Sequence, residues 1–260
     1  MLEYIQVNEA KLECQHIKVP GREALPTLVF LHEGLGCVAL WRDFPLKLCK
    51  TLKLNGFIYS RQGYGASDPI TLPRNIDFMH REACDTVSTV LDAANINSAI
   101  LVGHSDGGSI ALIHAGSIQD DRVKAISTIA AHVFNEELTT KSIEAAKNAF
   151  ENENLRTKLA KYHGDNVDCA FRGWNDIWLS QEFLNWNIEE FLPKIKIPTL
   201  AIQGSNDQYG TINQITAIEK GLQCTKQIKI IQDAQHSPHL TNQHTTLDIL
   251  EKFFTEKLNI

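Results

Sequence analysis

One segment of this chain restricts its fold more than any other. An apolar run at residues 98–102 leads directly into Gly103-His104-Ser105-Asp106-Gly107, and a helical pattern follows. The pattern Gly-x-Ser-x-Gly between a strand and a helix is typical of a nucleophile elbow, a strained turn that raises the serine hydroxyl above a sheet. Glycines stand on both sides of the serine because the helix returns close to the strand. The segment therefore predicts a strand–turn–helix unit with Ser105 as a candidate nucleophile.

The rest of the chain alternates between two kinds of pattern. Short apolar or alternating runs predict strands at residues 12–19, 27–31, 56–60, 98–102, 123–130, 199–202 and 227–231. Helical spacing predicts helices at residues 78–94, 106–117 and 241–254. Strands that alternate with helices indicate βαβ units and a mostly parallel sheet. Ligands of such a sheet bind above the carboxyl ends of its strands.

Residues 132–193 interrupt the alternation. This stretch is helical in pattern, and its second half carries the aromatic residues Phe171, Trp174, Trp178, Phe183 and Trp186. We expect a helical cap, inserted into a core formed by residues 1–131 and 194–260. In one interpretation Trp174 and Trp178 line a substrate pocket. In the other the aromatic side chains only attach the insertion to the core, since aromatic residues dominate buried area.

Composition excludes several classes of protein. Lys and Arg number 25 against 31 Asp and Glu, a formal charge of −6, and such a chain is a poor candidate for nucleic-acid binding. Residues 1–11 lack the pattern of a secretory signal, and no run of 18 apolar residues predicts a membrane span. We therefore expect a cytoplasmic protein. The six cysteines form no CxxC pair and are expected to be free thiols, with no metal site.

A serine nucleophile needs a base, and in this strand–turn–helix context the chain order is serine, acid, histidine. His236 follows the last predicted strand, and Asp207 follows the strand at residues 199–202. His236 would accept the Ser105 proton, and Asp207 would orient His236. The residues also considered are His104, His114 and His239 as the base, and Asp176 and Asp233 as the acid.

The oxyanion of an acyl-transfer reaction needs two backbone donors. The first is the Asp106 N–H, at the amino end of the predicted helix. The second is expected in the glycine-bearing turn after residues 27–31, where Gly34 is the first choice and Leu35 the next. An ordinary glycine-rich turn is the other interpretation of that segment.

Five segments together resemble the α/β-hydrolase superfamily over nearly the whole chain: His32-Glu-Gly-Leu-Gly36, Arg61-Gln-Gly-Tyr-Gly-Ala-Ser67, Gly103-His-Ser-Asp-Gly107, Gly204-Ser-Asn-Asp207 and His236. They occur in the order and at the spacing of that family. The resemblance implies an eight-stranded, mostly parallel sheet with a helical cap after the sixth strand. It also implies ester, lactone or thioester chemistry without a cofactor.

The chain departs from the family pattern at several positions. Glu33 stands where many members have Gly, and Ser60 and Gln62 stand where many have Asp and Arg. Asp106 stands where relatives often carry an apolar residue. The nucleophile position holds Ser105 and not the Asp of haloalkane dehalogenases, which disfavours dehalogenation.

Glu33 and Asp106 suggest a hypothesis about the substrate. Two carboxylates near the oxyanion site could attract a substrate amine, or they could each cap or tie a loop, since carboxylates are stabilised at helix amino ends. Glu33 and His104 are accordingly also candidates for the substrate pocket.

The sequence thus predicts a serine hydrolase of a small-molecule ester, lactone or thioester, acting through an acyl-enzyme as a monomer or homodimer. Two alternatives remain open at this point. One is a carbon–carbon bond hydrolase of ring-fission products, and the other is a ligand receptor that retains the three residues.

Overall fold

The computed structural model describes residues 3–258. The strands in this range form one eight-stranded sheet. The strands are β1 (Glu3–Val7), β2 (Ala10–Ile17), β3 (Thr27–Leu31), β4 (Gly56–Tyr59), β5 (Ala99–His104), β6 (Val123–Ile129), β7 (Thr199–Gly204) and β8 (Lys226–Ile231). Their order in the sheet is β1-β2-β4-β3-β5-β6-β7-β8. The hairpin β1–β2 is antiparallel, and β2 joins β4 antiparallel; all other pairs are parallel. The predicted fold class is confirmed.

Helices cover both faces of the sheet. They are α1 (Phe44–Leu52), α2 (Phe78–Arg81), α3 (Val87–Ala93), α4 (Asp106–Ser117), α5 (Glu137–Asn152), α6 (Leu155–His163), α7 (Val167–Trp178), α8 (Ile212–Gly221), α9 (Pro238–Thr241) and α10 (Gln243–Leu258). Short 3-10 turns lie at Val38–Trp41, Gly164–Asn166, Glu182–Asn185 and Glu189–Lys194.

The central strands are buried on both sides, which explains their continuous apolar runs. Successive side chains of a strand point to opposite faces. Leu28 and Phe30 accordingly belong to a core layer with α1 and α10, whereas Val29 and Leu31 belong to the layer with α3, α4 and α8. Residues of β3 and β5 belong to both core layers. The end of β5, where the elbow begins, is therefore held in place by packing on both faces of the sheet.

The structure differs from the sequence expectation in several places. β1 and the helices α1, α8 and α9 were not predicted. The helix expected at residues 78–94 is interrupted by a π-helical turn at Glu82–Thr86. An extra residue in a helical turn leaves the apolar spacing on either side nearly unchanged, so sequence periodicity does not reveal it. β1 is an exposed edge strand, so its pattern carries little apolar signal.

Helix α4 is buried on every side. Each residue from Asp106 to Gly116 is buried, so the helix shows almost no polar face. A helix that is apolar all round belongs inside a protein. It packs against β5 and β6 and begins directly after Ser105. The nucleophile segment is therefore held by the best-packed part of the molecule.

The helices α5, α6 and α7 follow β6 and precede β7. They occupy the stretch in which the sequence predicted an insertion. Phe150 of α5 stacks on Phe171 of α7, with ring centroids 3.7 Å apart, and this contact joins two helices of the stretch. Among residues 3–258, no helix is long and apolar enough to cross a membrane. All six cysteines are free.

Candidate active site

The elbow has the geometry that its glycines require. Ser105 lies between β5 and α4 with φ 51° and ψ −119°, in a region of conformational space that non-glycine residues rarely occupy. A Cβ at Gly103 would overlap the Gly107 carbonyl, and a Cβ at Gly107 would overlap the Leu31 carbonyl. The Ser105 N–H donates to the Ile129 carbonyl at 2.9 Å, which ties the turn to β6.

The structure brings Ser105, His236 and Asp207 together. His236 Nε2 lies 2.9 Å from Ser105 Oγ, and His236 Nδ1 lies 2.8 Å and 3.0 Å from the two Asp207 carboxylate oxygens. Asp207 Oδ1 also accepts the N–H groups of Tyr209 at 2.8 Å and Gly210 at 3.2 Å. A carboxylate only accepts, so His236 Nδ1 carries a proton, and Nε2 of the neutral ring is free to accept from Ser105.

The Asp207 carboxyl is held in its ionised form. Burial acts to raise its pKa, but the hydrogen bond and charge of His236, helped by the Tyr209 N–H, outweigh burial and lower it. The side chain of Asp207 is only 1% exposed. A buried charge that accepts several hydrogen bonds is a fixed anchor for the imidazole.

The other candidates for base and acid lie elsewhere. His239 is buried against Trp41 and Phe44, and burial lowers its pKa well below the usual value. His114 is buried in α4, with Nδ1 2.7 Å from the Ala83 carbonyl. Asp233 is not the carboxylate that pairs with His236 Nδ1, and its backbone N–H donates to Ser205 Oγ. Asp176 is exposed on α7.

A cavity of about 110 Å³ opens above Ser105. The sequence-predicted residues that line it are Glu33, Gly34, Leu35, His104, Ser105, Asp106, Trp174, Trp178 and His236. Five further residues line it that the sequence analysis did not select: His132, Thr139, Ile143, Tyr209 and Ser237. Three of these could have been suspected from position alone, because His132 begins the stretch after β6 and Tyr209 and Ser237 stand next to the triad residues.

Glu33 and His104 form a second acid–histidine pair beneath the cavity. His104 Nδ1 lies 3.3 Å from Glu33 Oε2, and His104 Nε2 lies 2.9 Å from the His236 carbonyl oxygen. Burial acts to raise the pKa of Glu33, but the hydrogen bond and charge of His104 outweigh it and lower the pKa. The turn that holds Gly34 is thereby linked to the loop that holds His236.

The Asp106 carboxyl, in contrast, has no hydrogen-bond partner at Oδ2 within the described part of the chain. Asp106 is 1% exposed. Burial raises its pKa to about 6, although the charges of Arg61 and Arg74 and the nearby Trp178 N–H act in the opposite direction. That N–H lies outside hydrogen-bond geometry. Neither arginine lines the cavity. Asp106 therefore differs from Glu33, whose carboxylate is paired.

Two further polar atoms at the cavity lack partners among residues 3–258: Trp178 Nε1 and His132 Nδ1. His132 Nε2 lies 3.0 Å from the Tyr209 carbonyl, so Nε2 carries the proton and Nδ1 is an acceptor. Burial, helped by the charge of His236, lowers the pKa of His132 to about 4, and the ring is neutral near pH 7.

The two tryptophans of α7 line the cavity and also pack against neighbouring segments of the chain. Trp174 lies directly over Gly34, where any Cβ would overlap its indole ring. Trp178 faces the cavity on one side and contacts Phe183 and Trp186 on the other, at 4.8 Å and 5.4 Å between ring centroids. Phe183 and Trp186 do not line the cavity.

One group of side chains away from the cavity has the composition of a metal site. Glu3, Cys14 and His16 place one ligand atom each within 4.8 Å of one another on the β1–β2 hairpin. Sequence spacing did not reveal the group because Glu3 comes from the neighbouring strand, where it pairs with Cys14.

Comparison with known proteins agrees with this architecture. The chain is 25% identical to 3-oxoadipate enol-lactonase 1 of Acinetobacter baylyi over 260 aligned residues that cover 91% of each protein. Among solved structures, the enol-lactonase from Burkholderia xenovorans superposes with a TM-score of 0.74 at 17% identity and covers 97% of this chain and 100% of that one. The esterase from Exiguobacterium antarcticum superposes with a TM-score of 0.74 at 16% identity, covering 97% and 99%.

A family model for the alpha/beta hydrolase fold matches residues 26–174, which is more than half of the 260 residues. The match includes the glycine-bearing turn after β3, the elbow around Ser105 and most of the stretch that contains α5 to α7. Together with the sheet order and the strand-end position of the serine, it establishes that this chain belongs to the α/β-hydrolase family of enzymes.

Proposed function

We propose that this protein is a serine hydrolase that cleaves a small-molecule ester, lactone or thioester through an acyl-enzyme intermediate. The observation that carries the proposal is the continuous chain from Ser105 Oγ to His236 Nε2 at 2.9 Å, and from His236 Nδ1 to Asp207 at 2.8 Å. The similarity to a protein named as an enol-lactonase favours a lactone among these three substrate classes.

The first half of the reaction acylates the serine. Ser105 Oγ attacks the carbonyl carbon while its proton passes to His236 Nε2, and Asp207 stabilises the imidazolium that forms. The carbonyl oxygen becomes an oxyanion, and we assign the N–H groups of Asp106 and Gly34 as its donors, with Leu35 next to them. His236 then gives its proton to the leaving oxygen or sulfur as the carbonyl re-forms.

The second half releases the acid. His236 accepts a proton from water, and the hydroxide oxygen attacks the acyl carbon of the Ser105 ester. When the tetrahedral intermediate collapses, His236 returns the proton to Ser105 Oγ. We further propose that residues 132–193 act as a cap, since Trp174 and Trp178 of this stretch form one wall of the cavity.

The test is a panel of small p-nitrophenyl esters, lactones, thioesters and ring-fission diketones. Ser105→Ala should lower kcat by at least about 10³-fold on every active substrate, because the nucleophile is lost. Ser237→Ala is the matched control, since Ser237 lines the same cavity, whereas the ring nitrogens of His236 are engaged by Ser105 and Asp207.

Three outcomes bear on the proposal. Turnover of esters, lactones or thioesters that disappears only in Ser105→Ala supports it. Turnover restricted to the diketones would replace it by carbon–carbon bond hydrolysis. Equal turnover by wild type and Ser105→Ala would refute the mechanism.

A further inference from the structure

The cavity beside Ser105 carries a carboxyl group without a partner. Asp106 is 1% exposed, lines the cavity directly next to the nucleophile, and has no hydrogen-bond partner at Oδ2 among residues 3–258. A buried polar group without a partner is costly, and native proteins rarely keep one without a reason. The nearest cations do not supply a partner. The terminal nitrogens of Arg61 donate to the carbonyls of His32 and Glu33. Those of Arg74 donate to the Tyr64 hydroxyl and the Gln62 carbonyl.

Glu33 is excluded as the equivalent site. Its carboxylate lines the same cavity, but His104 Nδ1 lies 3.3 Å away and is its hydrogen-bond partner. Only one of the two acidic side chains at the cavity is therefore available to a substrate.

The walls of the cavity suit a cation. Trp174, Trp178 and Tyr209 present aromatic rings, and no Lys or Arg lines the cavity in the described part of the chain. Aromatic faces attract ammonium groups, most strongly where water is excluded. An anionic acyl group would meet the Asp106 carboxylate and no Lys or Arg.

We propose that this cavity selects small substrates with a protonated amine near the scissile carbonyl, and that Asp106 is the residue that determines this specificity. The inference rests on the proposed function and deepens it. An ionised Asp106 beside the Asp106 N–H opposes the developing oxyanion. A substrate ammonium group neutralises that charge, so the gain appears in the transition state as well as in binding.

The experiment compares four methyl esters of similar size: L-alanine, L-lactic acid, propanoic acid and the half-ester of malonic acid. Hydrolysis is followed at pH 7 by acid release, with Ser105→Ala as the blank. We expect wild-type kcat/KM to be highest for the alanine ester and lowest for the malonate half-ester. A hydrogen bond to a charged group corresponds to about 10- to 100-fold, and this is the expected ratio of the alanine ester to the propanoate ester.

Asp106→Asn keeps the shape and the backbone N–H and removes the charge. It should reduce the alanine-to-propanoate ratio by at least about tenfold, chiefly through the alanine ester. Glu33→Gln is the matched control, because it removes the paired carboxylate from the same cavity, and the ratio should stay within about twofold of wild type. An equal fall in Glu33→Gln would refute the assignment to Asp106.

A wild-type measurement keeps the proposal testable even if Asp106→Asn does not fold. Propylammonium chloride should inhibit cleavage of methyl propanoate competitively and at least about tenfold more tightly than 1-propanol at equal ionic strength. Equal inhibition by the amine and the alcohol, or a wild-type preference for propanoate over alanine, would overturn the amine site. A preference for the lactate ester over the alanine ester would replace the amine by a neutral donor and would also overturn it.

If wild type cleaves none of the four esters but is active on the wider panel, the amine site fails while the proposed function stands. Inactivity on both would remove the proposed function itself.

Discussion

The coupling between Glu33 and His104 allows a prediction whose size follows from the structure. His104 Nε2 lies 2.9 Å from a carbonyl oxygen, which only accepts, so Nε2 carries a proton. Glu33 Oε2 lies 3.3 Å from Nδ1, and an ionised carboxylate also only accepts. With Glu33 ionised, both ring nitrogens of His104 therefore face hydrogen-bond acceptors.

His104→Phe removes both donors and preserves an aromatic ring of similar size. The His236 carbonyl then loses its buried partner, at a cost of about 1–3 kcal/mol. The Glu33 carboxylate loses its hydrogen-bond partner, but its side chain is 27% exposed and recovers part of that loss from water. We expect His104→Phe to destabilise the fold by about 2–4 kcal/mol, and to lower kcat because the His236 loop loses an anchor.

A double-mutant cycle isolates the pair. Glu33→Gln, His104→Phe and the double variant are unfolded in urea at pH 7, and the coupling free energy should be about 1–2 kcal/mol, below that of a fully buried charged hydrogen bond. The pKa of Glu33 is lowered in the folded protein, so this stability is present above its unfolded pKa of about 4.3 and disappears as the pH falls through the lower folded value. A coupling within about 0.3 kcal/mol of zero at pH 7 would refute the pairing of Glu33 with His104.

Three further predictions concern single residues. Asp207→Asn should lower kcat by about 10³- to 10⁴-fold with the fold intact, because the amide favours the His236 tautomer whose Nε2 cannot accept a proton; a loss below tenfold would contradict this role. Gly34→Ala should reduce activity and the midpoint of thermal unfolding, because its Cβ overlaps the Trp174 ring, and Trp174→Ala should restore part of the stability. Burial raises the pKa of Asp106 to about 6, so its ionisation destabilises the folded protein as pH rises through 4 to 6. Asp106→Asn should therefore be more stable than wild type at pH 8 and lose that advantage at pH 4, and urea unfolding at both values checks the sign.

The fold and the three proposed triad residues could be predicted because their signals are local. The strand, glycines and helix around Ser105 are contiguous, and Asp207 and His236 each follow a recognisable apolar strand. The family resemblance supplied what the local patterns did not, namely that the sheet has eight strands. The exposed β1 and the π-helical turn at Glu82–Thr86 leave no periodic apolar trace and were missed.

The details of the cavity depend on contacts between distant segments. Glu33 and Asp106 are equivalent carboxylates in the sequence. The position of the His104 ring, which pairs with Glu33, makes them different in the structure. His132 Nε2 donates to the carbonyl of Tyr209, which is 77 residues away in sequence, and Nδ1 is therefore the acceptor at the cavity. Tautomers, unpartnered atoms and the overlap of Trp174 with Gly34 are properties of packing, which composition and spacing do not encode.

The position of β8 has a consequence for how this protein is inactivated. β8 is the outermost strand on its side of the sheet, is paired only with β7 and is mostly half-exposed, yet the loop after it carries His236. Ser105, by contrast, is held by the fully buried α4. Edge segments open at a lower free energy than the core. We therefore expect local opening of β8 to separate His236 from Ser105 while the central strands stay folded, so that activity is lost at a lower free energy than global unfolding requires.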